Sequence, residues 1–257
     1  MPKALAVIAV VLIAGLPGRL RAGETGISFF EDFEVMNRGL WMISDGWSNG
    51  DWTNCTWSRR AVSVSGSRLH LAFTRSAADT GNYLCGEIQS RAAYGYGTYE
   101  IRMETGAGSG LNAAFFTYTG PSQGRSHHEI DVEVLLHDPS EVSFNVYVEG
   151  KAGGGRTVTL EQAADAGFVH YAFTWRPEGV VWYVDGRRVH ETGSDDSIPS
   201  EPQKVFASLW GSDTLTDWMG PFDAAAVPMV SVIDWIAYTR LGETCRFPAS
   251  VLCGGVQ

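Results

Sequence analysis

Short runs in which polar and apolar residues alternate recur along this chain, and they constrain its fold more than any other feature. Such runs cover residues 61–73, 98–104, 141–148, 168–175, 180–184, 205–210 and 229–238. Neighbouring side chains of a β-strand point to opposite faces, so each run predicts a strand with one face in a core. Ser65-Gly66 and Asp185-Gly186 predict hairpin turns. We predict an all-β sandwich, with one short helix over 160–166.

The amino-terminal segment is typical of a secretory signal peptide. Lys3 is positively charged, residues 4–16 are apolar, and the small residue Ala22 fits a cleavage site. This apolar run is too short to span a bilayer comfortably, and a buried core helix is the alternative. We expect residues 1–22 to be removed and the protein to be secreted, either extracellular or periplasmic. Residues 23–257 then form a single domain without membrane association, because no linker or second long apolar stretch follows.

All four cysteines follow this segment, at Cys55, Cys85, Cys245 and Cys253. An even number of cysteines in an exported chain predicts disulfide bonds, and four cysteines allow three pairings. We favour the pairs of sequence neighbours, Cys55 with Cys85 and Cys245 with Cys253. A zinc site is the alternative, but the chain lacks the C-x-x-C pair that zinc ligands usually form.

The charge balance excludes several classes of partner. The chain has 29 acidic and 19 basic residues, a net charge of −10, and no basic run. It is therefore a poor candidate for binding nucleic acid or an anionic membrane. Hydrophobic residues make up 44% of the chain, which excludes a disordered protein. Nine Trp and nine Tyr residues provide flat faces that can stack on sugars or bases.

One alternating run carries three carboxylates. In Glu129-Ile130-Asp131-Val132-Glu133 the acidic side chains share one strand face, while the aliphatic side chains enter the core. A solvated outer face is the ordinary alternative for such a pattern. However, no Lys or Arg is interleaved to relieve the repulsion between these like charges. The crowding therefore favours a functional interpretation.

Cleavage of a glycosidic bond would explain this crowding. The reaction needs one ionised and one protonated carboxyl group across the scissile linkage, and neighbouring carboxylates drive their pKa values apart. On a flat strand the Cα atoms of Glu129 and Glu133 would be about 13 Å apart. A retaining enzyme requires carboxyl groups about 5–5.5 Å apart, so the two side chains must lean toward each other.

Several motifs, in a fixed order over residues 29–238, carry a family resemblance. They are Gly46-Trp-Ser-Asn-Gly50, Asn54-Cys-Thr-Trp57, Cys85-Gly-Glu87, Tyr94-Gly-Tyr-Gly-Thr-Tyr-Glu100, Phe115-Phe-Thr-Tyr-Thr-Gly-Pro121, Glu129-Ile-Asp-Val-Glu133, Trp182-Tyr-Val-Asp-Gly186 and Asp217-Trp-Met-Gly220. These motifs resemble those of glycoside hydrolase family 16, and in particular the bacterial lichenases. The resemblance implies a curved jelly-roll sandwich with a substrate cleft on its concave face.

The resemblance also implies a retaining endo-1,3-1,4-β-glycanase that needs no cofactor for its chemistry. Glu129 would be the nucleophile and Glu133 the acid/base, while Asp131 would hold and tune the pair. The positions that match sugar-binding residues are Asn49, Glu87, Phe116, Tyr118, Asn145, Tyr147, Trp210 and Trp218. Each aromatic residue among them could instead belong to the core. Cys55 and Cys85 match the lichenase disulfide.

Four residues depart from the lichenase pattern. His127 replaces a Trp, His128 an acidic residue, Gln89 an Arg and Ser208 an Asn. The catalytic trio is unchanged, but groups that face the substrate differ. The polymer is therefore either a mixed-linkage β-glucan or a bacterial exopolysaccharide of the succinoglycan type. Protonated His127 or His128 could pair with an anionic substituent of such a polymer.

Other functions and ligands remain as alternatives. A transglycosylase would use the same site with an acceptor sugar in place of water. A non-catalytic carbohydrate-binding sandwich would lack Glu129 or Glu133, and both are present. A shared metal site is not expected at His127 and His128, which point to opposite strand faces. The lichenase resemblance allows a structural calcium ion at Asp234. We expect a monomer whose partner is the polysaccharide substrate.

Overall fold

A computed structural model describes residues 26–77 and 82–253, so the predicted signal peptide lies outside the described residues. The strands are β1 (Phe29–Glu31), β2 (Trp41–Ile43), β3 (Cys55–Trp57), β4 (Val62–Val64), β5 (Leu69–Arg75), β6 (Tyr83–Ser90), β7 (Gly97–Glu104), β8 (Leu111–Thr119), β9 (His128–Leu135), β10 (Glu141–Val148), β11 (Lys151–Thr159), β12 (Val169–Arg176), β13 (Gly179–Val184), β14 (Arg187–Glu191), β15 (Lys204–Gly211) and β16 (Met229–Arg240). Helical structure in these residues is limited to α1 (Thr216–Met219) and 3₁₀ turns at Arg59–Ala61, Pro121–Gln123 and Ala224–Ala226.

The strands form two sheets that pack against each other. The first sheet has the order β14-β13-β12-β7-β16-β5-β6, and the second has the order β11-β10-β9-β8-β15-β6. Strand β6 belongs to both sheets, because residues 83–85 pair with β5 and residues 86–89 pair with β15. All pairings in this path are antiparallel, and β3 joins β6 in parallel. The all-β sandwich prediction is confirmed.

Both predicted hairpin turns are present. Ser65 and Arg68 exchange two backbone hydrogen bonds of 3.0 and 3.2 Å between β4 and β5. Between β13 and β14, Asp185 and Gly186 both adopt left-handed backbone conformations, with φ of 47° and 77°. Two consecutive residues with positive φ make the tight turn that matches strand twist, which is why Asp-Gly was a strong signal.

The predicted helix over 160–166 is wrong. Its amide groups do not form the successive hydrogen bonds of a helix. Leu160 N donates to Ser140 O at 2.7 Å and Ala164 N donates to Pro139 O at 2.8 Å, while Ala166 N closes a single turn on Ala163 O at 3.0 Å. Leu160 and Ala164 are both buried. Their four-residue spacing resembles one face of a helix, but here it anchors an irregular loop against the loop between β9 and β10.

The core between the sheets fixes the orientation of β9. Ile130 and Val132 are fully buried on its inner face. Trp182 of the first sheet packs against Phe144 of the second with 5.6 Å between ring centroids. The Trp182 indole N–H also donates to the backbone oxygen of Asp131 at 3.1 Å. The side chains at alternate positions of β9 must therefore point away from the core.

Two disulfide bonds lie at different places in the sandwich. Cys55–Cys85 joins β3 to β6, and Cys245–Cys253 closes a loop after β16. Both favoured pairings are confirmed. Residues 46–54 lead into the first of these bonds, so it ties a loop rich in Trp and Gly to the point where β6 passes between the sheets.

Candidate active site

Glu129, Asp131 and Glu133 lie on the face of the second sheet that points away from the core, which we call the cleft face. The strand register places Tyr118 beside Glu129, Phe116 beside Asp131 and Ala114 beside Glu133. Residues of β6, β10 and β15 that pair in register with these positions lie on the same face. A cavity of about 880 Å³ covers the cleft face and is lined by all three carboxylates. The predicted sharing of one face by these carboxylates is confirmed.

Burial without a cation dominates the electrostatics of these carboxyl groups. Asp131 is 3% exposed, and burial raises its pKa well above the usual range, with further increases from the charges of Glu129 and Glu133. Burial raises the pKa of Glu133 to about 7, although Asn112 Nδ2 donates to its Oε1 at 2.9 Å. None of the Lys and Arg ion pairs in residues 26–77 and 82–253 includes these groups. A carboxyl group that holds its proton near neutral pH suits general acid catalysis.

His127 contacts Glu129 directly, with 2.6 Å between Nε2 and Oε2. Its ring stacks on Tyr147 at 4.9 Å between centroids, with the planes tilted by 17°. The Tyr118 ring is also nearby, with its centroid 5.3 Å from that of the His127 ring. His128, by contrast, is 7% exposed and does not line the cavity. The suggestion that His128 could pair with a substrate anion is therefore wrong, because strand alternation turns it away from the cleft.

Hydrogen bonds link Ser44, which follows β2, to polar groups of β6 and β15 farther along the cleft face. Ser44 Oγ donates to Glu87 Oε1 at 2.5 Å and accepts from Gln89 Nε2 at 3.0 Å. Lys204 Nζ donates to Gln89 Oε1 at 3.0 Å. Burial raises the pKa of Glu87 to about 8. Glu87 is thus mostly protonated at neutral pH and can offer an O–H donor to a sugar.

The structure brings most of the predicted sugar-binding residues together. The members that line the cavity are Asn49, Glu87, Phe116, Tyr118, Tyr147, Trp210 and Trp218. Asn145 lies beside Asp131 in the strand register but is absent from the cavity lining. Its Oδ1 accepts from the backbone N–H of Val146 at 2.9 Å. The side-chain oxygen of Asn145 is therefore engaged by the backbone of its own strand.

Two of the cavity-lining Trp residues were not assigned to sugar binding from the sequence. Trp47 and Trp52 line the cavity from the loop before β3 and are 42% and 41% exposed. Trp52 packs edge-on against Trp210, with 5.1 Å between ring centroids. Partly exposed rings at the rim of a cleft suit the apolar faces of sugars. Two Trp residues in one glycine-containing loop were the available signal.

The surroundings of Asp234 do not fit the predicted calcium ion. Arg102 Nη1 donates to Asp234 Oδ2 at 2.5 Å, and Arg68 Nε lies 3.6 Å from Oδ1. Both guanidinium groups lie over the Phe168 ring, 4.7 and 4.8 Å from its centroid. Two cations already neutralise this carboxylate, so a calcium ion there would be repelled. A calcium ion at Asp234 would have to compete with both guanidinium groups for the carboxylate.

Comparison of this sequence with known protein families identifies the family of the chain. The sequence model described as "Glycosyl hydrolases family 16" matches residues 49–236. The chain belongs to glycosyl hydrolase family 16. This family 16 chain is 44% identical over 226 residues to "Endo-1,3-1,4-beta-glycanase ExoK" of Rhizobium meliloti, covering 88% of this chain and 84% of that protein. It is 37% identical over 243 residues to a beta-glucanase of Bacillus amyloliquefaciens, covering 93% and 100%.

A solved structure supports the same assignment. The beta-glucanase of Bacillus licheniformis superposes with a TM-score of 0.80 at 37% identity, covering 84% of this chain and 100% of that one. The predicted jelly-roll fold is confirmed, and this family 16 chain is a glycoside hydrolase. The segment after residue 236, with Cys245–Cys253, lies outside the matched range.

Proposed function

We propose that this chain is an exported endo-1,3-1,4-β-glycanase that cleaves internal bonds of a β-linked polysaccharide with retention of anomeric configuration. The observation that carries the proposal is the row of carboxyl groups on β9. Glu133 has a pKa of about 7, while Glu129 shares the same cavity and is the candidate partner group. The 44% identity to the endo-1,3-1,4-beta-glycanase of Rhizobium meliloti supports the same activity.

The reaction would proceed in two displacements. Glu129 attacks the anomeric carbon and forms a glycosyl ester, while the glycosidic C–O bond breaks. The departing oxygen takes the proton of Glu133. A water molecule then gives a proton to Glu133 and attacks the anomeric carbon, which releases Glu129. The same Glu133 therefore acts first as acid and then as base, which requires a pKa near the working pH.

Asp131 would keep the pair in these roles. It lies between Glu129 and Glu133 on the same strand face, is buried, and is held protonated by that burial and by the two neighbouring charges. A protonated Asp131 is a hydrogen-bond donor to Glu129 and adds no third negative charge. The nucleophile can then stay ionised beside it without repulsion from a carboxylate.

The cavity suits a polysaccharide rather than a single sugar. Its volume is about 880 Å³, and aromatic rings line it at both ends of the carboxylate row. Tyr147 and Tyr118 lie beside Glu129, whereas Trp210 and Trp218 lie toward the other end. Flat rings spaced along a cleft can cover the apolar faces of successive sugar units. This arrangement supports binding in the middle of a chain and hence internal cleavage.

The choice of polymer belongs to the same proposal. His127 presents a smaller ring than the Trp of a lichenase, but it adds a hydrogen-bonding nitrogen. We propose weaker binding of neutral mixed-linkage glucan and better tolerance of substituted or acidic exopolysaccharide. Export, which the two disulfide bonds support, would bring the enzyme to such polymers as a monomer.

The test is digestion of a panel of neutral β-glucans and acidic exopolysaccharides, with linkage analysis and proton NMR of the first products. We expect oligosaccharides from internal cleavage, released as β-anomers. Initial α-anomers would contradict the retaining mechanism. Release of single sugars from chain ends would contradict internal cleavage. Products longer than the substrate at high acceptor concentration would instead assign a transglycosylase.

A further inference from the structure

We infer that His127 is a positioning residue for the nucleophile: a hydrogen atom on its Nε2 holds the Glu129 carboxylate, and a second proton on the imidazole slows the attack. The inference rests on the proposed function, because it takes Glu129 as the nucleophile. It adds a residue outside the carboxylate trio to the catalytic apparatus and predicts how that residue makes the rate depend on pH.

The hydrogen bond between His127 and Glu129 determines which ring nitrogen of His127 carries a hydrogen. His127 Nε2 is 2.6 Å from Glu129 Oε2. An ionised carboxylate has no hydrogen to donate, so the nucleophilic form of Glu129 requires a hydrogen on Nε2. Hydrogen bonds to ionised groups are short and stronger than neutral ones. Holding one carboxylate oxygen limits rotation of the group and fixes the direction from which the other oxygen can attack.

The His127 ring is itself held in place. It stacks on Tyr147 at a tilt of 17°, and Tyr118 lies 5.3 Å away on the adjacent strand. Its backbone oxygen accepts from Gly150 N at 2.9 Å, which pairs the start of β9 with the end of β10. The ring is therefore fixed by two neighbouring strands before any substrate binds. A residue held this way can transmit its position to Glu129.

The charges around the ring come from the cleft face. Glu129, Asp131 and Glu133 lie on β9, which begins directly after His127, and Lys204 of β15 lies beside Tyr118 in the register. Burial raises the pKa values of Tyr118 and Tyr147, so both phenols are neutral throughout the range in which histidine titrates. Of the groups that touch the ring, Glu129 is the one that is charged in the attacking form.

Protonation of the second ring nitrogen changes the energetics of attack. A neutral His127 contributes one hydrogen bond to Glu129. A doubly protonated ring forms an ion pair with it, and this ion pair stabilises the ground state. Formation of the glycosyl ester removes the negative charge from Glu129, so the ion pair is lost in the transition state. Interactions that are stronger in the ground state than in the transition state slow the reaction.

The experiment measures attack by Glu129 separately from proton donation by Glu133. The full-length enzyme is treated with a 2-deoxy-2-fluoro β-glycoside that carries a dinitrophenolate leaving group, which departs without an acid catalyst. The rate of inactivation is followed between about pH 5.5 and 8, and mass spectrometry locates the label. Three variants are compared with the wild type: His127→Gln, His127→Phe and His128→Gln.

The variants separate the two roles of the ring. The Gln side chain places an amide N–H near the position of Nε2–H but does not titrate. Phe retains a ring for stacking but has no donor. His128→Gln is the matched control, because His128 is adjacent in sequence and lies on the opposite face of β9. Thermal unfolding of each variant shows whether the sandwich is intact.

We expect the wild type and His128→Gln to become slower toward low pH, because a second proton on the His127 ring converts its contact with Glu129 into an ion pair. His127→Gln should lack this decline. His127→Phe should be slower at every pH, on the order of 10- to 100-fold, as for loss of a hydrogen bond to a charged group. The titration of Glu133 affects all variants alike, so the difference between wild type and His127→Gln isolates the imidazole.

Two results would overturn the inference: an acid decline in His127→Gln equal to that of the wild type, or a His127→Phe rate within about threefold of wild type while the protein is folded. Failure of the proposed function would appear differently. In that case the label would be absent from Glu129 in the wild type itself, whatever the pH dependence of the variants.

Discussion

On the cleft face of the second sheet, buried Asp131 and half-buried Glu133 have no Lys or Arg partner among the described residues, whereas on the outer face of the first sheet Glu100 is buried among groups that satisfy it. Ser250 Oγ donates to Glu100 at 2.6 Å and Val251 N donates to it at 2.9 Å. His170 Nε2 lies 3.0 Å from the same carboxyl group. Both faces therefore bury carboxyl groups, but only the outer face supplies donors for each oxygen.

The difference separates groups kept for chemistry from groups kept for stability. A buried carboxyl group without a cation takes up a proton at higher pH, and this protonation is what an acid catalyst needs. A carboxylate with donors on both oxygens is held in one place and contributes to folding. On the outer face Asp234 is similarly paired with Arg102 and Arg68.

The cover over Glu100 comes from the segment after β16, beyond the residues matched to the family. Phe247 of this segment packs against Phe30 at 4.8 Å and against Trp235 at 5.3 Å between ring centroids. Cys245–Cys253 closes the segment on itself. The outer face is thus completed by an addition at one end of the chain, while the cleft face stays open to substrate.

Removal of the nucleophile should have the largest effect and should be confined to activity. We expect Glu129→Gln to reduce kcat by at least about 10³-fold, because an amide of nearly the same shape cannot form the glycosyl ester. The free energy of unfolding should fall little, since no cation is lost. The measurements are steady-state hydrolysis of polysaccharide and urea unfolding. Activity within tenfold of wild type would remove Glu129 from its assigned role.

The acid/base residue should show its role through the choice of leaving group. With polysaccharide we expect Glu133→Gln to lower kcat/KM by about 10²- to 10⁴-fold. With a dinitrophenyl glycoside the loss in kcat/KM should be much smaller, because that leaving group needs no proton. In the wild type kcat/KM on polysaccharide should decline as pH rises through about 7, the pKa of Glu133. Equal losses on both substrates would contradict acid catalysis.

The protonated carboxyl groups of the cleft face should make the protein less stable as pH rises. Unfolded Glu side chains ionise near 4.5, whereas Glu133 and Glu87 stay protonated in the folded protein up to about 7 and 8. Stability is therefore fully present below pH 4.5 and is lost as pH rises to 8. These changes correspond to roughly 3 kcal/mol for Glu133 and roughly 5 kcal/mol for Glu87.

The double variant Glu87→Gln/Glu133→Gln tests whether these two groups make stability fall as pH rises. Urea unfolding at pH 5 and pH 8 should show a drop of several kcal/mol in wild type. In the double variant the drop should be smaller, because amides do not titrate, and the drop that remains includes the contribution of Asp131. An equal drop in both proteins would mean that other groups set the pH dependence.

The face assignment of β9 could be predicted from sequence because it follows from strand alternation alone. Ile130 and Val132 are apolar and the residues between them are acidic, and only one orientation buries the former. The contact between His127 and Glu129 could not be predicted. His127 precedes the first residue of β9, and its reach depends on Tyr147 of the next strand.

The ion pairs of Asp234 with Arg102 and Arg68 could not be predicted from sequence, because they depend on the strand register. Arg102 lies on β7 and Asp234 on β16, at a register shift between Ile233 and Trp235. No pattern in either strand reveals that shift. The rim residues Trp47 and Trp52 depend similarly on a loop in which Gly46 and Gly50 have positive φ. Regular periodicity is readable from sequence, whereas contacts that arise from irregular backbone are not.

The smallest expected effect lies on the outer face and should spare activity. We expect Glu100→Gln to lower the free energy of unfolding by about 1–3 kcal/mol, the usual cost of leaving a buried hydrogen-bonding group unsatisfied. Glu104→Gln is the matched control, since Glu104 lies on the same face of β7 and forms no ion pair among the described residues. It should change stability by less than about 0.5 kcal/mol.

A double-mutant cycle assigns the Glu100 effect to the carboxy-terminal segment. Glu100→Gln, Ser250→Ala and the double variant are unfolded in urea, and their kcat/KM values on polysaccharide are compared. Because Ser250 Oγ donates to Glu100 at 2.6 Å, the two substitutions should be coupled by about 0.5–3 kcal/mol. All three proteins should keep kcat/KM within about twofold of wild type. Additive stabilities, or a large loss of activity in Glu100→Gln, would mean that the two faces are not separate in function.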